Sequence, residues 1–141
     1  MSNKLIVKLT DVADEMAFVD DDITVFLNKD DGEFEILNKM SDNYKKEAEQ
    51  ISLGNYVKLP DQFDIHEYKM MESFINTISD PRKSNKLYHA ISGRGVFLRF
   101  KDTASDLELL DDWYGYRDQA YLEVAREWCE DNGIAYIDTR E

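Results

Sequence analysis

A chain of 141 residues that is 43% hydrophobic and 12% aromatic carries enough apolar mass for one packed core, so a single domain over residues 1–141 is expected. The formal charge of −13 and a sequence pI near 4.5 argue against nucleic acid held over a broad surface, which takes a basic domain. Met1 to Lys4 lead only into the short apolar run Leu5-Ile6-Val7, neither a secretory leader nor a membrane span, and the lone cysteine, Cys129, leaves no disulfide framework; a soluble cytoplasmic chain with no membrane partner is expected.

In chain order, Ile23, Val25 and Leu27 alternate with more polar neighbours, Lys29-Asp30-Asp31-Gly32 supply turn residues, and Phe34 and Ile36 alternate again, which predicts a β-hairpin. Asp42 to Gln50 reads as a short polar helix, and Tyr56 to Leu59, ended by Pro60, as a third strand. Asp64 is placed to cap a helix whose Ile65, Tyr68, Met71, Ile75 and Ile78 recur at helical spacing, with Asp80-Pro81 as its stop. A helix from about Ser84 to Ile91 follows, then a Gly93-Arg94-Gly95 break. From Val96 onward Phe97, Phe100, Ala104 and Leu107 fit a helix, while Val96, Leu98 and Phe100 fit a strand; the helix is preferred.

The last long helix, roughly Asp111 to Asn132, sets Trp113, Tyr116, Ala120, Val124 and Trp128 on one stripe, read as core, and Asn132-Gly133 ends it. Gly115 costs up to ~1 kcal/mol inside a helix, which implies close packing there or a later helix start. Ile134 to Ile137 form a closing strand. The fold class is α+β, an antiparallel hairpin or sheet in the first half packed against a helix-rich second half.

The charge distribution is the main functional signal. Between Pro81 and Lys101 stand Arg82, Lys83, Lys86, Arg94, Arg99 and Lys101 with no Asp or Glu; once those six cations are taken from −13, the rest of the chain stands at −19. Local field rather than net charge decides what binds, so this segment is the candidate seat of an anionic ligand or an acidic partner surface. Gly93 and Gly95 at a helix start offer backbone N–H groups, Arg94 and Arg99 offer planar donors, and Lys86, His89 and Lys101 extend the same basic region. His89 falls at helical spacing from Arg82 and Lys86. The bland alternative is that the glycines only turn the chain while the cations pair with internal carboxylates.

Other chemistry finds little support. The Gly-Arg-Gly break has neither the length and lysine of a P-loop nor the spacing of a dinucleotide fingerprint, and two histidines with one cysteine assemble no zinc pattern, so no cofactor, metal or catalytic set is expected. Counting back from Gly32 puts Leu27 and Lys29 where calcium ligands belong, so turn chemistry explains the Asp30-Asp31 pair better. Cys129 beside Trp128 reads as core.

The run from Leu87 to Asp102, Leu-Tyr-His-Ala-Ile-Ser-Gly-Arg-Gly-Val-Phe-Leu-Arg-Phe-Lys-Asp, followed by Trp113, Tyr116-Arg117, Trp128 and Asn132-Gly133-Ile134, resembles the bacterial uncharacterised protein family numbered 0158 in the UPF series. Val96 stands where that family more usually has a small residue. The resemblance implies an intracellular bacterial setting and no assigned activity. Three functional classes follow, in order of preference: a non-catalytic binding module for an unknown protein or anionic ligand; an enzyme on a small phosphate-bearing substrate, oriented by Arg94 and Arg99 with His89 as the proton-transfer group; and an acidic mimic of nucleic acid.

Overall fold

The computed structural model describes residues 5–93 and 95–138. The chain divides into two compact units: the residues up to Ile65 together with those from Tyr121 onward, and His66–Ala120.

In the first unit, strand β1 (Ile6–Lys8) runs straight into helix α1 (Leu9–Met16). Leu9, Val12 and Met16 recur at helical spacing and are all buried, and Lys8 starts the helix without a side-chain cap. The hairpin follows as β2 (Ile23–Asn28) and β3 (Phe34–Asn38), in the register Val25 opposite Ile36 and Leu27 opposite Phe34. Its turn is closed by Gly32 N–H on the Asn28 carbonyl at 2.8 Å, with Gly32 at φ 79°, a conformation that favours glycine. The Asp31 side chain accepts from Glu33 N–H and Asp20 accepts from Asp22 and Ile23 N–H, so these carboxylates cap their own backbone.

Helix α2 (Tyr44–Leu53) then leads to β4 (Tyr56–Lys58), which pairs antiparallel with β2 to give the order β3-β2-β4. Val25 and Leu27 on the central strand are buried, whereas Ile36 on the edge strand is 52% exposed and Leu37, on the opposite face of β3, is buried. At the end of the unit, β5 (Ala135–Ile137) pairs in parallel with β1, Val7 opposite Tyr136. The fold class is α+β, with the antiparallel sheet in the first half and helices dominating the second.

The helix expected from Asp64 to Ile78 is broken in two, α3 (Gln62–Ile65) and α4 (Glu67–Asn76), because His66 takes a left-handed conformation at φ 56°. The capping role assigned to Asp64 belongs to a reciprocal pair: Asp64 N–H donates to Asp61 Oδ1 at 3.0 Å and Asp61 N–H to Asp64 Oδ2 at 3.2 Å. Burial pushes the Asp61 carboxyl up, but the Asp64 N–H and the Lys58 ammonium at 3.0 Å outweigh it and hold the group below its ordinary value.

The second unit is helical. Asp80 and Pro81 start a helix here: α5 (Pro81–Ala90) takes Pro81 in its first turn, and the Asp80 carboxylate accepts Arg82 N–H at 2.9 Å. Proline fits there because the first helical N–H has no intrahelical partner. Helix α6 (Val96–Asp106) takes the helical alternative for that segment, and α7 (Leu110–Asp131) passes from this unit into the other. Phe74, Phe100, Trp113 and Tyr116 form a ring cluster, with Phe100 and Trp113 edge to face at 4.9 Å and Phe74 5.5 Å from both Trp113 and Tyr116.

The stripe expected on α7 holds at Trp113 and Trp128, which are buried, but Tyr116, Ala120 and Val124 are only half-buried. The buried positions between are Tyr121, Leu122 and Ala125, with Cys129 beyond. Tyr68, assigned to the α4 core, is 42% exposed, and Phe74 is buried instead. Gly133 at φ 66° ends α7, with Ile134 N–H on the Cys129 carbonyl at 2.8 Å.

Candidate binding site on the basic segment

Helix α5 presents Arg82, Lys86 and His89, spaced four and three residues apart along one face, and all three are exposed. Lys83 is half-buried and lines a cleft of about 320 Å³ with Phe74, Ile78, Asp80, Leu109 and Asp112 among its walls. Lys101 stands exposed on the second turn of α6. Among the described residues the side chains of Arg82, Lys83, Lys86 and Lys101 form no ion pair, in a chain with 30 acidic residues. The ion pairs among the described residues lie elsewhere: Arg117 on Glu67 at 2.8 Å, Arg126 on Asp138 at 2.6 Å and on Glu123 at 3.7 Å, and Lys58 on Asp61.

The break between α5 and α6 is built around Arg99. Gly93 and Gly95 both take positive φ, 85° and 67°, so the chain reverses within a few residues and α6 starts at Val96 without a side-chain cap. Arg99, one turn into α6, reaches back across that reversal. Its Nε donates to the Ala90 carbonyl at 3.1 Å and its Nη2 to the Ser92 carbonyl. A Cβ on Gly93 would meet Arg99 Nη2 at 3.7 Å, and one on Gly95 would meet Nη1 at 3.9 Å, so the loop passes close to the guanidinium. Arg99 therefore serves carbonyls left over at the end of α5. Arg94, its expected partner in holding an anion, lies outside the described residues.

Of the predicted site residues, Lys86, His89 and Lys101 are exposed near this turn, Gly93 and Gly95 form it, and Arg99 braces it. Sequence reasoning passed over an apolar component: Phe97, Leu98 and Tyr88 are 49%, 69% and 41% exposed. The signal is present in the pattern. Phe97 and Leu98 are adjacent on a helix whose buried face is set by Phe100 and Ala104, and that face cannot take both. The Tyr88 hydroxyl is engaged by Asn76 Oδ1 at 2.5 Å, so it is the ring that faces outward.

Elsewhere, burial and then the neighbouring Glu130 push the Cys129 thiol up to about 11, the opposite of what a nucleophilic cysteine needs. A cleft of about 320 Å³ in the first unit is lined by Lys58, Leu59, Pro60, Asp64, Val124, Glu127, Trp128 and Asp131. The Trp128 indole donates to the Lys58 carbonyl at 2.8 Å beside it. Among the described residues no helix is long and apolar enough to cross a membrane, and no group of three or more His, Cys, Asp or Glu side chains is placed to hold a metal ion.

No solved structure matches the chain. A UPF0158 protein of Pseudomonas aeruginosa is 35% identical over 66 residues, which is 46% of this chain and 43% of that relative, so less than half the length of the relative is matched. The family model described as "Uncharacterised protein family (UPF0158)" matches residues 2–141, and the chain therefore belongs to that family.

Proposed function

We propose that this chain is a non-catalytic binding module that holds an anionic ligand or an acidic partner on residues 81–101. The observation that carries the reading is that Arg82, Lys83, Lys86 and Lys101 form no ion pair among the described residues although carboxylates outnumber cations 30 to 17. Cations left unpaired in a surplus of acid retain their field for an external charge. Arg99 spends donors on its own backbone, which leaves fewer rigid forks to orient a substrate and favours binding over catalysis. The same reading puts the module in the cytoplasm of a bacterium, in keeping with its single, buried cysteine.

Calorimetric titration with inorganic phosphate, nucleotides, polyglutamate and short oligonucleotides at two salt concentrations tests it. At least one polyanion should bind, weaken as salt screens the contact, and lose at least about tenfold in affinity in the Lys86→Glu/Lys101→Glu variant. Saturable binding that ignores both substitutions, or no binding of any of these anions, would overturn the proposal.

A further inference from the structure

We propose that the free edge of β3 pairs antiparallel with the same edge of a second copy of this chain, about a twofold axis at Ile36. The contact uses no residue of 81–101 and is independent of the binding role proposed there. Strand register places the groups involved. Asn28 N–H donates to the Glu33 carbonyl at 2.9 Å and Lys39 N–H to the Asp22 carbonyl at 2.8 Å, which fixes the alternation: Glu33, Glu35, Leu37 and Lys39 turn their backbone groups to β2. Phe34, Ile36 and Asn38 therefore turn theirs outward. Among the described residues no hydrogen bond reaches the N–H of these three or the carbonyls of Phe34 and Ile36, and the Asn38 carbonyl, which accepts Ser41 N–H, keeps a second lone pair. The link from β3 to β4 leaves this edge open, because both strands run antiparallel to β2 and α2 has to cross a face of the sheet to join them. The β4 edge differs: its Lys58 carbonyl accepts the Trp128 indole N–H at 2.8 Å.

The apolar face of the sheet also runs past its last covered strand. Val25 is fully buried, while Ile36, opposite it on the same face, is 52% exposed. An uncovered apolar side chain beside unpaired backbone groups is what a strand added from outside covers. The order of residues along the edge selects a second copy as that strand. About the axis, Ile36 meets Ile36 of the second copy, Phe34 meets Asn38, and Glu33 meets Lys39, so unlike charges face each other on both sides. Glu35 falls opposite Leu37 and diagonal to Lys39. Register shifts come in twos if outward groups are to stay opposed; one such slip sets Glu35 against itself, and the other sets Phe34 against Met40, beyond the strand. Asp30, Asp31 and Asp42 past the strand ends and the −13 of each copy oppose the contact, a repulsion screened over ~8 to 10 Å at physiological salt. An edge of 5 residues buries little surface, so the dimer is a weak one, with a Kd on the order of 10 to 100 µM.

Sedimentation velocity of the full chain between about 1 and 500 µM tests the pairing, and the chain should pass from monomer to dimer over that range. Ile36→Lys should weaken the dimer at least about tenfold by opposing like charges at the axis. Ile36→Pro should weaken it as much, because it removes an N–H that points away from β2. Thermal melts of the dilute monomers check the fold, and Ile36→Lys, at an exposed position, carries the test if the proline variant melts early. Glu33→Lys and Lys39→Glu should each weaken the dimer about fivefold. The double variant, or a mixture of the two single variants, should restore it. This arm separates register from net charge, since Glu33→Lys makes the chain less acidic and would strengthen a contact governed by net charge alone. A monomer throughout, a dimer indifferent to both Ile36 substitutions, or a dimer strengthened by Glu33→Lys would overturn the inference, and the first of these would leave the edge to an extended segment of another protein.

Discussion

The Arg99 guanidinium donates to two carbonyls at the end of α5, groups that the helix cannot pair internally, and this links a side chain that reads as functional to a local structural need. The sequence exposes the positive charge of residues 81–101 plainly, because charge is additive and needs no geometry. It conceals how each cation is used, because the reach of Arg99 back to Ala90 depends on two positive-φ glycines bringing the ends of two helices together. Lys86 and Lys101 have no such neighbour and remain what the sequence suggests, exposed charges. Cys129 shows the converse, a reactive residue type made inert by its surroundings. With the thiol raised from 9.0 to about 11 in the folded chain, the unfolded chain loses the proton first. The stability contribution of the neutral, buried thiol is therefore complete below pH 9 and is lost as pH rises through 11, by no more than about 3 kcal/mol. Urea unfolding of the wild type and of Cys129→Ala between pH 8 and 11 should show their stability difference shrinking over that window; a difference independent of pH would mean that the thiol ionises alike in both states.

Whole elements were legible where pairing or packing is local. The β2–β3 hairpin is carried by its own turn residues, and α7 by a long repeat of apolar positions with a glycine stop, so both stand close to where the sequence puts them. β1 and α1 escaped because neither signal applies: three residues pair in parallel with a strand at the opposite end of the chain, and an eight-residue helix follows without a cap. The break at His66 escaped because the apolar spacing on either side of it stays helical, and periodicity is blind to a single left-handed residue. Gly115 is the clearest case. Neither close packing nor a late helix start accounts for it, since α7 begins at Leu110 and an added Cβ would meet nothing within 4 Å. Nothing in the structure explains a glycine there. Gly115→Ala should therefore stabilise the chain by about 0.5 to 1 kcal/mol through lower backbone entropy in the unfolded state. Gly133→Ala is its control: there too an added Cβ meets nothing within 4 Å, but φ is 66°, so the substitution should destabilise by roughly 1 kcal/mol. Thermal melts moving in opposite directions confirm both readings, and a destabilised Gly115→Ala would refute the first.

At the scale of the molecule, two opposing electrostatic terms act on one chain. Thirty acidic residues against seventeen basic ones leave a net −13, and surplus carboxylates repel one another more in the compact state than in the expanded one. The ion pairs that oppose this among the described residues are partly exposed: Arg117 with Glu67, Arg126 with Asp138 and Glu123, and Lys58 with Asp61. Pairs of that kind contribute roughly 0 to 1 kcal/mol each. Diffuse repulsion should therefore outweigh them, and added salt should raise the melting temperature. The contact proposed at residues 81–101 has the opposite sign, since there an attraction between unlike charges is being screened. One salt titration separates the two effects. Between about 50 and 500 mM sodium chloride the melting temperature of the free chain should rise by a few degrees, while the affinity for an acidic peptide falls. The Lys86→Glu/Lys101→Glu variant removes two positive charges and adds two negative ones, a net change of −4, so its free chain should melt lower at low salt and gain more from added salt than the wild type. A melting temperature that falls with salt would show that the ion pairs dominate the repulsion, and the assignment of the acidic surplus as a destabilising field would then be wrong.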